Sequence, residues 1–207
     1  MNQPWVLLFA KAPISGMVKT RLAAGVGPGR ALEIYRALAE RQMDALRRSG
    51  LPIFVWTAPP GSEADVASWL LGAKEVRLQP EGDLGARMSH ACEHAFANGA
   101  PGAILVGTDC PELDASRIAA LAEIVRDGRF ALQPALDGGY VAFGLPQRFP
   151  QAFENMAWST DTVLTETVSR LRCLGIEPDL LEPLSDIDTV DDWHAWNSQH
   201  LNPPELP

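Results

Sequence analysis

The stretch that decides the fold is Val6–Ala10 (VLLFA), which runs directly into Lys11–Leu22 (KAPISGMVKTRL). A short apolar run interrupted by Pro and Gly is typical of a buried strand that enters a loop. Three cations, Lys11, Lys19 and Arg21, fall within eleven residues there, although the whole chain has a formal net charge of -9. Cations gathered around a glycine favour a pocket for an anion such as a diphosphate. A solvated basic loop is the alternative.

Downstream of this loop, apolar runs alternate with segments of helical periodicity, which predicts an α/β domain. We expect a Rossmann-like mixed, mostly parallel sheet with helices on both faces, in one domain over residues 1–201 and a flexible tail over 202–207. The predicted strands after the first are Ile53–Thr57, Glu75–Leu78, Ala103–Gly107, Phe130–Pro134, Tyr140–Leu145 and a short edge strand within Leu180–Leu184. The predicted helices are Arg30–Arg48, Asp65–Leu71, Leu84–Ala97, Ser116–Arg126, Thr160–Leu174 and Val190–Gln199.

Composition excludes several classes of function. The pI near 4.9 argues against a nucleic-acid-binding surface, which needs a basic stripe. No apolar run approaches the roughly 20 residues of a membrane span, and the start of the chain lacks the pattern of a secretory signal. Three widely spaced cysteines without a CxxC pair are typical of reduced thiols. We therefore expect a cytoplasmic protein.

Two acidic segments are candidates for a metal site. Asp109 directly follows a buried strand, where a carboxylate can bind a divalent cation that bridges nucleotide phosphates; capping of the next helix is the alternative. A second carboxylate is expected from Ser185–Thr189, because side chains two residues apart on an extended segment share a face. Asp186 and Asp188 could therefore point together, although Asp188 or Thr189 could instead cap the final helix.

Three further loops are candidates for ligand contacts. Asp137 precedes Gly138 and Gly139, which allow close backbone approach to a ligand, although a hairpin turn explains the same residues. Asp83 is predicted to cap a helix, and Arg87 in its first turn could hold a phosphate or carboxylate. Trp158 and Ser159 open another helix, where an aromatic ring and hydroxyls could face a sugar or a base.

Other motifs are rejected or given a structural role. A P-loop needs Gly directly before the Lys-Thr pair, but Val18 occupies that position, and the glycines of Gly25–Gly29 do not follow a strand as a dinucleotide fingerprint requires. His90 and His94 have the spacing of a zinc pair without the glutamate that a zincin places after the first histidine. We interpret them as surface histidines of a helix.

Taken in order, the motifs resemble one family, the glycosyltransferase-A-like proteins formerly of unknown function. Its members are described as arsenosugar-biosynthesis-type or selenodomain-associated transferases (type 1) and fall in the nucleotide-diphospho-sugar transferase superfamily. The matching segments are Phe9–Leu22, with Gly16 at its centre, Gly107–Leu113, Pro134–Tyr140, Trp158–Thr162 and Asp186–Thr189.

The resemblance implies the nucleotide-diphospho-sugar transferase fold, with a nucleotide pocket at the strand ends. It implies that Lys11, Lys19 and Arg21 hold phosphates and that Asp109 lies where related enzymes bind their metal. On this interpretation Mg²⁺ or Mn²⁺, held by Asp109 and Asp188, assists transfer of a sugar from a nucleotide-diphosphate donor to a small-molecule acceptor.

The roles of the remaining candidates follow from that interpretation. Asp137 is the candidate base toward the acceptor hydroxyl, and the acceptor is expected beside Gly138, Gly139, Trp158 and Ser159. Gly16, Asp83 and Arg87 complete the predicted nucleotide side. The expected partners are a nucleotide sugar or nucleotide and the acceptor, with a homodimer left open.

Two alternatives to glycosyl transfer remain. In the first, a nucleotidyltransferase joins a nucleoside triphosphate to a phosphorylated acceptor and releases pyrophosphate. Asp186–Thr189 resembles the Asp-x-Asp-Thr-Pro ending of such enzymes, with Val190 in place of proline, and Gly107 replaces the first acid of the Asp-x-Asp of metal-dependent glycosyltransferases. In the second, the protein binds nucleotides without catalysis.

Overall fold

Seven strands form one mixed sheet in the order β3-β2-β1-β4-β6-β5-β7, in a computed structural model that describes residues 3–199. β6 runs antiparallel to β4 and β5, and all other neighbours are parallel. The strands are β1 Trp5–Lys11, β2 Ile53–Ala58, β3 Glu75–Leu78, β4 Ala103–Val106, β5 Ala131–Pro134, β6 Tyr140–Leu145 and β7 Asp179–Leu180. The helices are α1 Thr20–Val26, α2 Pro28–Ser49, α3 Glu63–Trp69, α4 Leu84–Ala97, α5 Ala115–Arg126, α6 Val163–Cys173 and α7 Val190–Gln199, with a 3-10 turn at Pro150–Ala152. The predicted mixed, mostly parallel α/β fold is confirmed.

The apolar run of β1 is continuous because both faces of the sheet are covered by helices. Val6 and Leu8 pack into one core cluster with buried side chains of α2, α3 and α5. Leu7 points to the opposite face and packs with buried side chains of α4 and α6. All three leucine and valine side chains are fully buried.

A third, smaller apolar cluster joins helices α1 and α2 to the segment around helix α7. Leu22 of α1 packs with residues of α2 and with Trp193 and Trp196 of α7. Ile187, just before α7, is also fully buried in this cluster. This packing places the acidic segment around Ile187 beside the basic loop that follows β1.

The structure differs from the sequence-based expectations in its short elements. Helix α1 was not predicted, because its start has no side-chain cap and Gly25 lies within it. The expected edge strand is reduced to Asp179–Leu180 plus an isolated bridge between Ala135 and Leu184. The predicted tail over residues 202–207 lies outside the described residues. No described helix is long and apolar enough to cross a membrane.

The strand order fixes where a ligand can bind. β1 lies between β2 and β4, so the chain moves toward one edge of the sheet after β1 and toward the other edge after β4. Ligands of such sheets bind beyond the carboxyl ends of the strands at this switch point. The loops carrying Lys19 and Asp109 begin there.

Candidate functional site

The basic loop after β1 ends at Lys19, whose backbone is left-handed with φ 48°. This conformation is unfavourable by roughly 1 to 2 kcal/mol for a residue with a Cβ, so other contacts must hold it. The Lys19 side chain is only 5% exposed, whereas that of Arg21, two residues later, is 70% exposed. Gly16, earlier in the loop, also has a positive φ. The loop therefore turns one of its cations inward.

Two carboxylates from distant parts of the chain hold the Lys19 ammonium. Its Nζ lies 2.8 Å from Oδ1 of Asp109 and 2.7 Å from Oδ1 of Asp188. Arg21 pairs with the other carboxylate oxygen of Asp188. Burial alone would lower the pKa of the Lys19 ammonium, but the charges of Asp109 and Asp188 outweigh it and raise that pKa above its ordinary value.

Asp109 reaches this position because β4 ends just before it. The hydroxyl of Thr108 donates to Oδ1 of Asp109 at 3.1 Å. Capping of α5 falls to Asp114, whose carboxylate accepts from the backbone N–H groups of Ser116 and Arg117 at 3.0 Å. The carboxylate of Asp109 is therefore not used as a helix cap.

The segment before α7 carries Asp188 to the Lys19 ammonium. The backbone N–H of Ile187 donates to the backbone oxygen of Asp109 at 2.9 Å, which ties the two loops together. Thr189 and Asp192 cap α7 reciprocally: Asp192 Oδ2 accepts from Thr189 N at 2.7 Å and Thr189 Oγ1 accepts from Asp192 N at 3.3 Å. Because Thr189 is the cap, Asp188 is available to Lys19.

Asp186 also belongs to the site, and its burial and neighbouring charges could not be predicted from the sequence. Burial, followed by the negative charges of Asp137 and Asp188, raises its pKa to about 6. The backbone N–H of Leu136 donates to the backbone oxygen of Leu184 at 3.0 Å, which places the Asp137 turn beside the acidic segment. The alternation of Asp186 and Asp188 around a buried Ile187 was the signal for their common face.

Tyr35 of α2 is a second contributor that sequence reasoning missed. Its hydroxyl donates to the backbone oxygen of Lys11 at 2.7 Å and accepts from the backbone N–H of Lys11 at 2.8 Å. Burial, then the charge of Asp109, raises the pKa of Tyr35 above its ordinary value. In the sequence, Tyr35 is simply one residue of the predicted helix Arg30–Arg48. Lys11 itself is exposed, at the carboxyl end of β1.

The turn between β5 and β6 is packed tightly against the start of α6. A Cβ added at Gly138 would overlap the backbone of Asp161, and the backbone oxygen of Gly138 accepts from Leu164 N at 2.9 Å. The carboxylate of Asp137 accepts from Gly139 N at 2.9 Å. These contacts connect the Asp137 turn to the loop that carries Trp158 and Ser159.

Trp158 and Ser159 occupy that loop in different ways. Ser159 is exposed and left-handed, with φ 64°. Trp158 is half-buried, and its indole nitrogen would lie 2.7 Å from a Cβ added at Gly85. The Trp158 ring therefore packs on the first turn of α4, which links the predicted acceptor side to the Asp83 loop.

Asp83 and Arg87 both have local structural roles. Asp83 caps α4 by accepting from Ala86 N at 2.8 Å. Arg87 donates from Nε to the backbone oxygen of Gly82 at 3.0 Å. A phosphate-binding role for either residue remains a prediction.

The histidines of α4 lie against a buried tryptophan. The rings of His90 and His94 meet the ring of Trp56 edge-on, with centroids 5.6 and 5.7 Å away. Burial and the nearby charge of Arg77 lower the pKa of His94. Within residues 3–199, no group of three or more His, Cys, Asp or Glu side chains is placed to hold a metal ion.

A two-carboxylate site nevertheless fits one kind of metal ion. Mg²⁺ is commonly bound through one or two carboxylates, with water and substrate phosphates completing its coordination. Asp109 and Asp188 converge on one cation, Lys19, and the Asp109 side chain is 42% exposed. This donor set suits Mg²⁺ or Mn²⁺ shared with a phosphate ligand rather than a metal enclosed by protein groups.

The strand order and the crossing point of the sheet define an α/β protein with the nucleotide-diphospho-sugar transferase fold. The chain belongs to the family described as "Uncharacterized protein conserved in bacteria (DUF2064)", whose model matches residues 42–160. This confirms the family inferred from the ordered motifs. No curated protein matches the chain.

Solved structures show the same fold over nearly the whole chain. A protein from Desulfovibrio desulfuricans G20, provisionally described as a nucleotide-diphospho-sugar transferase, is 29% identical with a TM-score of 0.91, covering 99% of this chain and 90% of its own. A cytidylyltransferase from Leptospira borgpetersenii serovar Hardjo-bovis is 13% identical with a TM-score of 0.61, covering 100% of this chain and 90% of its own. Rv0371c from Mycobacterium tuberculosis H37Rv, in complex with manganese, is 15% identical with a TM-score of 0.57, covering 93% and 97%.

Proposed function

We propose that the protein is a metal-dependent glycosyltransferase that uses a nucleotide-diphosphate sugar and a small-molecule acceptor. The observation that carries the proposal is the meeting of Lys19 and Arg21 with Asp109 and Asp188 at the carboxyl edge of the sheet. Phosphate-binding cations and metal-binding carboxylates are the two parts that a diphosphate leaving group requires. The name of the Desulfovibrio desulfuricans relative supports the same class of donor.

The residues of the chain would divide the work as follows. Lys11, Lys19 and Arg21 bind the diphosphate and stabilise the charge that builds on it as the glycosidic bond breaks. Mg²⁺ or Mn²⁺ held by Asp109 and Asp188 would neutralise part of that charge. Asp137 accepts the proton of the acceptor hydroxyl as the new bond to the sugar forms.

Nucleotidyl transfer is the second candidate, and Gly107 favours it. Gly107 directly follows β4, where metal-dependent glycosyltransferases place the first acid of Asp-x-Asp. The second carboxylate of the pair instead comes from Asp188, in a segment that resembles the ending of nucleotidyltransferases. In this reaction an acceptor phosphate attacks the α-phosphate of a nucleoside triphosphate, and pyrophosphate leaves.

The products distinguish the two reactions. The protein is incubated with Mg²⁺, a mixed pool of alcohols, sugars and sugar phosphates, and either nucleotide sugars or nucleoside triphosphates. Glycosyl transfer releases a nucleoside diphosphate from the nucleotide sugar, measured by chromatography. Pyrophosphate release from a triphosphate that depends on a phosphorylated acceptor would contradict the glycosyl proposal in favour of the second candidate.

Asp109→Asn tests the site itself. We expect turnover to fall by roughly a hundredfold or more, because charge stabilisation at the leaving group is lost while the amide keeps the shape of the side chain. The matched control is Asp114→Asn, which changes a nearby acid that caps α5; asparagine caps helices about as well as aspartate, so turnover should remain close to that of the wild type. Equal turnover in Asp109→Asn and the wild type would contradict the role of Asp109.

A further inference from the structure

The carboxylate pair proposed to hold a metal ion is already occupied by the protein's own cations. Oδ1 of Asp109 and Oδ1 of Asp188 both bind the Lys19 ammonium, and Oδ2 of Asp188 binds Arg21. Of the four oxygens of this carboxylate pair, three are paired with a basic group in the part of the chain that the structure describes. A divalent cation coordinated by both aspartates must therefore displace a basic group.

Lys19 is the group that a metal ion must displace to use both aspartates. It bridges them, whereas Arg21 contacts Asp188 alone. Lys19 is 5% exposed and Arg21 is 70% exposed, and exposed ion pairs contribute little because water and salt screen them. The left-handed backbone at Lys19 is a further cost that the two ion pairs must offset.

We propose that Lys19 is a resident cation that competes with divalent metal for the Asp109–Asp188 pair and leaves it when a diphosphate group binds. This inference rests on the proposed function, because it assigns the pair to a metal and the loop to a diphosphate. Without ligand, Lys19 keeps the two carboxylates together and metal binds weakly. A bound diphosphate takes the ammonium as its own counterion, and the carboxylates become available to the metal.

The exchange couples the two ligands. If a diphosphate increases the affinity for metal, metal must increase the affinity for the diphosphate by the same factor. The protein then binds the metal and the diphosphate together, and either one alone binds weakly. Lys19 thus binds the donor and also weakens metal binding until the donor is present.

The first experiment uses Mn²⁺ alone, so it does not depend on the identity of the nucleotide. Mn²⁺ binding is titrated by calorimetry in the wild type, Lys19→Gln and Arg21→Gln. We expect Lys19→Gln to bind Mn²⁺ at least tenfold more tightly than the wild type, and Arg21→Gln less than threefold more tightly. Arg21→Gln is the matched control because it also removes one positive charge that is paired with Asp188. Equal or weaker Mn²⁺ binding by Lys19→Gln overturns the proposal, and so does an equal gain in both variants.

A thermal measurement covers the case in which Lys19→Gln folds poorly. Two carboxylates left without their shared cation repel each other, so the metal-free variant should melt several degrees below the wild type. Mn²⁺ should restore most of that loss, since a ligand that binds the folded state raises its melting temperature. If millimolar Mn²⁺ leaves Lys19→Gln as unstable or as unfolded as before, the competition does not exist.

A second arm separates this inference from the proposed function. A nucleoside diphosphate is titrated in EDTA, and Lys19→Gln is expected to bind it at least tenfold more weakly than the wild type. If nucleoside diphosphates fail to bind the wild type both in EDTA and in the presence of Mn²⁺ while the Mn²⁺ results hold, the diphosphate half of the proposal and the proposed function are wrong, and the metal competition stands. If nucleotide sugars turn over in the wild type while the Mn²⁺ affinities are equal, only the competition is wrong.

Discussion

Two glycines with nearly the same backbone conformation lie in the two halves of the candidate site, and their surroundings differ. Gly16, in the basic loop, has φ 78° and no atom within 4 Å of the position its Cβ would take. Gly138, in the turn after β5, has φ 90°, and a Cβ there would overlap the backbone of Asp161. The first loop needs glycine for its conformation alone, and the second also needs it for close packing.

This difference extends to what holds each half together. The basic loop is fixed by ion pairs, which a charged ligand can replace, and by the hydroxyl of Tyr35. The turn around Gly138 is fixed by backbone contacts to Asp161 and Leu164, which a ligand cannot replace. We infer that the phosphate side of the site is adjustable and that the predicted acceptor side is preformed.

Gly138→Ala is expected to have the largest effect on stability, and Gly16→Ala is the variant with which it is compared. Both place a Cβ at a positive φ, which costs about 1 kcal/mol, but only Gly138→Ala also forces the Asp161 backbone to move, for a total of about 3 kcal/mol. In thermal unfolding this corresponds to a melting temperature lower by roughly 10 °C for Gly138→Ala and 3 °C for Gly16→Ala. Similar losses in the two variants would show that packing does not distinguish the two loops.

The strands and the edge of the sheet that carries the site could be predicted from the sequence. Strands such as Val6–Ala10 are apolar throughout because helices cover both faces of the sheet, and that property is visible in one segment at a time. Helix α1 could not be predicted, because its start at Lys19 depends on a left-handed residue held by distant carboxylates.

Only those site residues that a single loop identifies could be predicted from the sequence. Asp109 follows from its position at a strand end, and the shared face of Asp186 and Asp188 follows from their alternation around Ile187. The contact of Asp188 with Lys19 does not, because the two residues are 169 positions apart and meet only through tertiary packing. The bonds from Tyr35 to Lys11 are equally long-range and leave no local pattern.

Tyr35→Phe tests the hydrogen bonds between the Tyr35 hydroxyl and Lys11 on the phosphate side of the site. It should have an intermediate effect on stability. It removes a hydroxyl that bonds both backbone groups of Lys11 and leaves them without that partner, at a cost of about 1 to 2 kcal/mol. We expect the midpoint of urea unfolding to fall while the slope of the transition stays the same. An unchanged midpoint would show that the hydroxyl is replaceable by water and that ion pairs alone hold this loop.

Asp186→Asn gives the smallest predicted effect and tests the point where the two halves meet. Asp186 is two residues from Asp188 of the ion-pair network, and its segment bonds the Gly138 turn through Leu136 N and Leu184 O. Its pKa is raised from the ordinary value of 3.8 to about 6, so between these pH values the folded protein keeps a proton that the unfolded chain has lost. Stability from this group is therefore present below about pH 4 and is lost as the pH rises through 6.

The difference in stability between Asp186→Asn and the wild type should therefore depend on pH. Relative to the wild type, Asp186→Asn should gain about 1 kcal/mol of stability between pH 4 and 7, a figure reduced for the partial exposure of the carboxylate. The measurement is urea unfolding of both proteins in EDTA at several pH values across that range. If their stabilities run parallel, Asp186 is not held near the charges of both halves. If Asp186→Asn gains on the wild type as the pH rises, the folded protein raises the pKa of Asp186, through its burial first and through the charges of Asp137 and Asp188 second.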